Sequence, residues 1–377
     1  MKIGLVCPYN IAKKGGVQEH VLAVMAELRS RGHDAWIVTP RPPDYEDEPG
    51  DHIIFVGGSA DFNSPMRTTV QVSASVNETI ERMLEEERFD ILHFHEPWMP
   101  MLSLQLLSRS TSVNVATFHA AIPDTVMSRS FVRAVGPYTK SVLKYIDAYT
   151  AVSDASAEYV CTLTDEPIAI IPNGVDTRRF TPPKTFKENR KHKTIFYVGR
   201  LEGRKGVKYL IRAFALLQAR RPEISLVLAS DGPDRDKLEA LVDDLNLQNV
   251  TFTGYISDQE KIKYFQNSDL FCSPAIYGES FGIVLVEAMA SGLVTVAGDN
   301  PGYAGVMSGL GAISLVHPKH TEEFARRLEL LLYEKDLRKL WREWAQGELP
   351  NYTYQRITNE YEEVYKMALE QRKQHGS

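Results

Sequence analysis

Glu287 follows Glu279 eight positions on, in the run Glu279-Ser-Phe-Gly-Ile-Val-Leu-Val-Glu287. The run ends an irregular segment, Ser273 to Gly278, and opens an apolar stretch from Phe281 to Met289. Read as a helix rising ~1.5 Å per residue, it sets the two carboxylates ~12 Å apart. They cannot grip one atom at that separation. They can bracket an elongated polar ligand, with the free N–H groups of the first turn between them. Those groups and the helix dipole favour an anion. A sugar at one end, a ribose at the other and a diphosphate between them make a ligand of that shape. The same spacing fits an acidic N-terminal cap followed by one carboxylate on a buried helix.

Two further sets of residues suit such a ligand. Phe196-Tyr-Val-Gly-Arg200 reads as a strand end carrying a cation, and Lys205-Gly206 follows at a helix start. A guanidinium offers bidentate contacts to a diphosphate and an ammonium a point charge, and both gain strength away from water. A solvated basic turn would look the same. Near the N-terminus, Cys7-Pro-Tyr-Asn10 ends a strand and Gly15-Gly16 opens a helix. A glycine pair there lets backbone approach a phosphate, although a plain turn also fits. Neither G-x-G-x-x-G after a strand nor G-x-x-x-x-G-K-[ST] occurs, which weakens an oxidoreductase or P-loop reading. His93 and His95 share a strand face and could bind a metal, but no third ligand stands near them in sequence, so a structural role is expected.

The elements that must hold these residues alternate in two blocks. Ile3–Cys7, Ala35–Thr39, Ile91–Phe94, Val113–Phe118, Ala148–Val152 and Ile168–Ile171 read as buried strands, with helices over Val17–Arg31, Thr69–Glu87 and Phe131–Ile146. After Pro172-Asn-Gly174 the pattern restarts. Thr194–Val198, Ser225–Ala229, Val250–Thr253, Leu270–Ser273, Val294–Ala297 and Ile313–Val316 read as strands. Val207–Arg220, Arg235–Leu245, Asp258–Asn267, Phe281–Ser291 and Thr321–Glu334 read as helices. The expectation is two doubly wound α/β domains, residues 1–172 and 173–352, with a last helix over 353–377 packed back on the first. A ligand would sit at the C-terminal ends of the strands.

Composition narrows the partners. The chain has 377 residues with 43% hydrophobic and 24% charged, an ordinary globular balance. Residues 1–166 hold 14 Lys and Arg against 22 Asp and Glu, a balance of −8; the rest carry +2, giving −6 overall. An acidic N-terminal half argues against nucleic acid and against simple docking onto anionic lipid. No apolar run has the ~18 residues of a membrane span, and the N-terminal Ile3–Cys7 run is too short for a signal-peptide core. Cys7, Cys161 and Cys272 are expected as buried free thiols in a reducing cytosol.

Taken together and in order, several elements are highly specific: Gly15-Gly16, Ile171-Pro-Asn-Gly-Val-Asp176, Gly199-Arg-Leu, Lys205-Gly206, Asp231-Gly-Pro233, Pro274, Glu279 to Glu287, and Ala290-Ser-Gly292. With them the chain resembles the retaining GT-B glycosyltransferases of family four, from Met1 to about residue 365. Within that family it is most similar to bacterial phosphatidylinositol α-mannosyltransferases, through Val6-Cys-Pro-Tyr9, Gly15-Gly-Val-Gln18, His95-Glu-Pro97, Ala116-Thr-Phe-His119 and Gly278 to Met289. The resemblance implies two Rossmann-like domains facing a deep cleft, with the C-terminal helix crossing back to the first. It implies transfer of a hexose, mannose from GDP-mannose, to a phosphatidylinositol-like or other polar acceptor, with no cofactor and no metal. Arg200 and Lys205 would hold the diphosphate, Glu279 the sugar hydroxyls and Glu287 the ribose. Gly16 would contact the diphosphate or sugar, and His119 would lie beside the reacting carbon. Backbone of Phe281, Gly282, Ile283 and Val284 would help at the sugar, Asp231 and Gly232 would belong to the donor site, and Ile256 and Lys261 would lie near the base. Tyr9, Gln18, Asn63 and Arg67 would face the acceptor.

The chain departs from those relatives in two places. They carry a basic amphipathic helix that docks on acidic phospholipid; the corresponding segment here ends Glu81-Arg-Met-Leu-Glu-Glu-Glu87. After His119 they tend to place a lysine, where this chain has Ala-Ala-Ile-Pro-Asp124. A countersign is Arg129, Arg133, Lys140 and Lys144, interleaved with Phe131, Val135, Val142 and Leu143, which suits a small membrane-facing or merely solvated helix face. The expected location is the cytoplasm, with peripheral membrane contact left open. The alternatives are a UDP-sugar-dependent transferase, a GT-B-fold nucleotide-sugar epimerase and a non-catalytic nucleotide-sugar-binding protein.

Overall fold

The computed structural model describes the chain except residues 13–14, 43–50, 64–68, 123–125, 187–189 and 376–377, and describes backbone only at 59–63, 69–73, 126–131 and 375. It divides into two units, Met1–Gly174 with Tyr354–Ser377, and Val175–Thr353.

The first unit runs β1 (Lys2–Val6), α1 (Gly16–Ser30), β2 (Asp34–Arg41), β3 (Ile53–Asn63), β4 (Thr69–Ala74), α2 (Asn77–Glu87), β5 (Ile91–His95), α3 (Leu102–Leu107), β6 (Val113–Phe118), α4 (Val126–Leu143), β7 (Ala148–Ala151), α5 (Asp154–Cys161) and β8 (Ile168–Ile170). Its eight strands lie in the order β4-β3-β2-β1-β5-β6-β7-β8, all parallel except the β3–β4 pair. Every residue of β5 and β6 is buried, as expected of central strands covered on both faces.

The second unit runs β9 (Thr194–Val198), α6 (Val207–Gln218), β10 (Ser225–Ala229), α7 (Arg235–Asp244), β11 (Val250–Gly254), α8 (Asp258–Asn267), β12 (Leu270–Ser273), α9 (Ile283–Ala290), β13 (Thr295–Gly298), α10 (Pro301–Val306), β14 (Leu315–Val316), α11 (Thr321–Tyr333) and α12 (Lys335–Glu348). Its six strands are parallel in the order β11-β10-β9-β12-β13-β14. The last helix, α13 (Tyr354–His375), belongs to the first unit. It buries Ile357, Tyr361, Tyr365 and Ala368, spaced by four, four and three, in the same core cluster as Val21, Val24 and Leu28 of α1.

Four expectations needed correction. The helix expected over Thr69–Glu87 is strand β4 followed by α2; Thr-Val-Gln-Val-Ser-Ala alternates and is β-branched, and β3, which periodicity alone missed, pairs with it. The helix expected from Phe281 begins at Ile283, because Gly282 sits at φ 102°. Glu279 therefore lies outside it, and the ~12 Å helical ruler does not span the two glutamates. The strand over Ile313–Val316 shrinks to Leu315–Val316, its first half being a 3-10 turn. Cys161 is exposed; Cys7 and Cys272 are buried, and all three are free.

Candidate active site

In a doubly wound sheet the ligand crevice lies outside the strand C-termini where strand order reverses. Each unit has one such point, between β1 and β5 in the first and between β9 and β12 in the second. The second ends in Gly199-Arg200 on one side and Ser273-Pro274 on the other.

There the chain turns through a 3-10 helix, Gly203–Lys205, into α6. Gly206 makes the turn at φ 71°, and a Cβ there would stand 2.0 Å from the Pro274 carbonyl oxygen. Only glycine allows that approach. It ties the basic turn to the segment bearing Glu279, as does the hydrogen bond from Ile276 N–H to the Arg204 carbonyl at 2.8 Å. The result is a charge cluster. Lys205 Nζ and Arg204 Nη1 each lie 2.7 Å from the same Glu279 oxygen, and Arg204 Nε lies 2.7 Å from Glu202. Burial works against the Arg204 charge, but Glu279 and Glu202 outweigh it and hold its pKa up. Arg200 is half exposed, its Nε 3.7 Å from Glu202.

Two neighbouring turns complete this cluster. A Cβ on Gly232 would stand 2.4 Å from the Leu201 carbonyl, so the Asp231-Gly232 turn lies flat against the residue after Arg200. Asp231 accepts from Gly232 N–H at 2.7 Å and faces Arg235 at 3.3 Å. Ser230, just before, sits at φ 104°, a strained value for a non-glycine residue, with its N–H on the Gly254 carbonyl at 2.7 Å. Ile256 follows β11, and a capping box between Ser257 and Glu260 starts α8. One residue later, Lys261 Nζ reaches Glu287 at 2.8 Å and lies over the Phe180 ring at 5.2 Å. The two glutamates thus have separate cationic partners. Gly282, Ile283 and Val284 form the start of α9, half-buried, while the Phe281 ring packs on Tyr352.

The first unit's polar cluster is of another kind. After β1, Asn10 turns the chain by accepting from Ala12 N–H at 2.9 Å, and Gln18 donates to the Asn10 carbonyl at 3.4 Å. Tyr9 is half-buried in that loop, and Gly16 is exposed in the first turn of α1. After β6 comes His119, buried, its Nε2 2.9 Å from His95 Nδ1. His20 of α1 stacks edge-on against both rings. His93 sits below, its ring nitrogens 2.7 Å from the Tyr365 hydroxyl and 2.6 Å from Thr117 Oγ1. Burial depresses all four; His20 and His93 fall to about 3, and neighbouring imidazoles push His95 and His119 down further. His119 is therefore a neutral hydrogen-bonding group at pH 7, not a general acid.

The expected structural role of His93 fits its two hydroxyl partners. The imidazoles whose ring nitrogens come within 4.8 Å of one another are instead His20, His95 and His119. Two of them, His95 and His119, are joined by a hydrogen bond. Asn63 lies on β3 with only its backbone described, and Arg67 and Asp124 lie outside the described residues. Sequence reasoning missed Arg204, Glu202 and Glu96. Arg204 directly precedes Lys205, but nothing there signals a carboxylate 75 positions on.

The family Glycosyltransferase Family 4 matches residues 14–179, and Glycosyl transferases group 1 matches 179–347. The phosphatidyl-myo-inositol mannosyltransferase of Mycolicibacterium smegmatis is 31% identical over 97% of this chain and 93% of its own length. A GDP-mannose-dependent alpha-mannosyltransferase of Corynebacterium glutamicum is 25% identical over 78% of this chain and 72% of its own. Among solved structures, sucrose-phosphate synthase from Thermosynechococcus elongatus superposes with a TM-score of 0.74 over 97% of this chain and 98% of its own, at 21% identity. With both units matched and a relative of this identity spanning almost its whole length, the chain belongs to the family 4 glycosyltransferases of GT-B fold.

Proposed function

We propose that this glycosyltransferase moves mannose from GDP-mannose to a hydroxyl of a phosphatidylinositol-like or other polar acceptor with retention of configuration and without a metal. The observation that carries the reading is the Arg204–Lys205–Glu279 cluster beside Arg200 at the switch point of the second sheet. Its cations suit a diphosphate and its carboxylate suits sugar hydroxyls. The C–O bond to the diphosphate breaks first, leaving an oxocarbenium-like sugar. The acceptor oxygen then bonds to the same face, and its proton passes to the departing phosphate oxygen. Arg200, Arg204 and Lys205 stabilise the charge that develops on the leaving group, and the neutral His119 hydrogen-bonds the sugar. Lys261 and Glu287 hold base and ribose. Positioning supplies the rest. The mannosyl donor is favoured by the two relatives named for mannosyl transfer.

Incubation with GDP-mannose, UDP-glucose or UDP-N-acetylglucosamine and total lipid extract, with products identified by mass, tests donor and acceptor together. A mannosylated lipid from GDP-mannose is expected; turnover of UDP-sugars alone overturns the mannosyl reading, and isomerised donor without acceptor points to an epimerase. Activity is expected to persist in excess EDTA. Strict loss, restored by adding a divalent metal, would end the metal-independent reading. Among the described residues no helix is long and apolar enough to cross a membrane.

A further inference from the structure

Glu96 lies between His95 and Pro97, directly after β5. Glu96 is 1% exposed. It stands at φ 56°, left-handed, although it is neither glycine nor asparagine and precedes a proline, which disfavours helical backbone at that position. Its own N–H is bonded to the Thr117 carbonyl at 2.9 Å and its carbonyl accepts from Met99 N–H at 3.0 Å, so the conformation is fixed from both sides. One carboxyl oxygen accepts the backbone N–H groups of His119 and of Ala120, the latter at 2.6 Å. The other accepts the indole N–H of Trp98. That indole is held by Tyr159, with ring centroids 5.3 Å apart, and by the edge of Phe118 at 5.9 Å. Among the described residues no lysine or arginine pairs with the carboxyl. Its partners are backbone and indole donors, so its work is to hold a turn and not to balance a charge.

We infer that Glu96 is a positioning residue: its carboxyl clamps the two successive N–H groups that open the turn after β6, and so aims the His119 imidazole. This rests on the role proposed above for His119. Strain at an over-determined residue beside a reactive group is where pre-organisation is stored. A carboxylate accepts at both oxygens, whereas an amide in the same place has one acceptor and one donor. Glu96→Gln therefore sets an N–H either against Trp98 or against the His119–Ala120 turn, at almost unchanged volume.

The test is a double-mutant cycle read together with amide exchange. Glu96→Gln is expected to lower kcat about 10-fold or more, as a misaimed group does, with donor KM nearly unchanged. Combined with His119→Ala it should add little, because there is no imidazole left to aim. Exchange at the amides of His119 and Ala120 should quicken in Glu96→Gln while the amides of Val113–Phe118 stay protected. Full kcat in Glu96→Gln, a loss that multiplies fully with that of His119→Ala, or unchanged exchange at 119 and 120 would each overturn the clamp. If His119→Ala alone keeps full kcat, the imidazole's role falls, and amide exchange by itself decides whether the clamp exists. Should Glu96→Gln not fold, Trp98→Phe removes one donor from the same carboxyl and is read in the same way.

Discussion

The two switch points bear polar clusters built on opposite principles. The second unit gathers Arg204, Lys205 and Glu279 as ions, paired within 2.7 Å and partly open to solvent. The first gathers His20, His93, His95 and His119 as neutral rings in an interior that forbids their charge. An ion cluster can exchange partners when a diphosphate arrives, because its charges persist and a better anion displaces a carboxylate. A neutral buried cluster cannot do that. It offers fixed direction, which is what a sugar hydroxyl needs.

The contrast breaks most visibly at Lys205. Lys205→Ala is expected to lower kcat ~10²-fold or more, as loss of one transition-state charge stabiliser does. Arg200→Ala should behave likewise, and steady-state rates at saturating donor give the comparison. Near-normal turnover in both variants would remove the leaving-group argument.

The imidazole side is probed by acid. His20 falls from 6.5 to about 3 on folding. Its folded pKa is depressed, so the stabilisation is present above pH 6.5 and is lost as pH falls through the window toward 3. By pH 5 the loss is about 2 kcal/mol. Glu96 runs the other way. Burial raises it from 4.5 to about 7 despite its three N–H donors, so its contribution is full below 4.5 and is lost as pH rises through 7. The wild type alone would mix these with the other three imidazoles, whose depression His20 itself contributes to. The stability difference between wild type and His20→Gln, from urea midpoints, carries the His20 share and should shrink by about 2 kcal/mol between pH 7 and pH 5.

The smallest effect tests how α13 supports the cluster. The Tyr361 hydroxyl lies 3.1 Å from His20 Nε2, so Tyr361→Phe should destabilise by about 1 kcal/mol. A calorimetric melt checks it, and an unchanged melting temperature would mean that this hydroxyl adds nothing to the helix's hold on the cluster.

Much of the first-order plan could be read along the chain. The alternation of short buried strands with amphipathic helices announced two doubly wound sheets, and Lys205-Gly206, Asp231-Gly232 and the glutamate pair stood out by type and spacing. What stayed hidden has a common cause. Arg204 matters because its partner is Glu279, and Glu96 because its partners are the amides of His119 and Ala120; no local pattern reports a contact across such separations. Thr69–Ala74 misled because six alternating residues next to a true helix blur two periods.

By itself the sequence determined which groups were available: cations after β9, carboxylates around α9, histidines on β5 and just after β6, and glycines where backbones meet. Those follow from residue chemistry and from periodicity, which are local. Only the tertiary structure decided their states. Burial made the histidines neutral, strand order brought Arg204 and Lys205 onto one carboxylate oxygen, and a left-handed Gly282 placed Glu279 outside the helix that carries Glu287. Desolvation and pairing depend on what surrounds a group from distant parts of the chain.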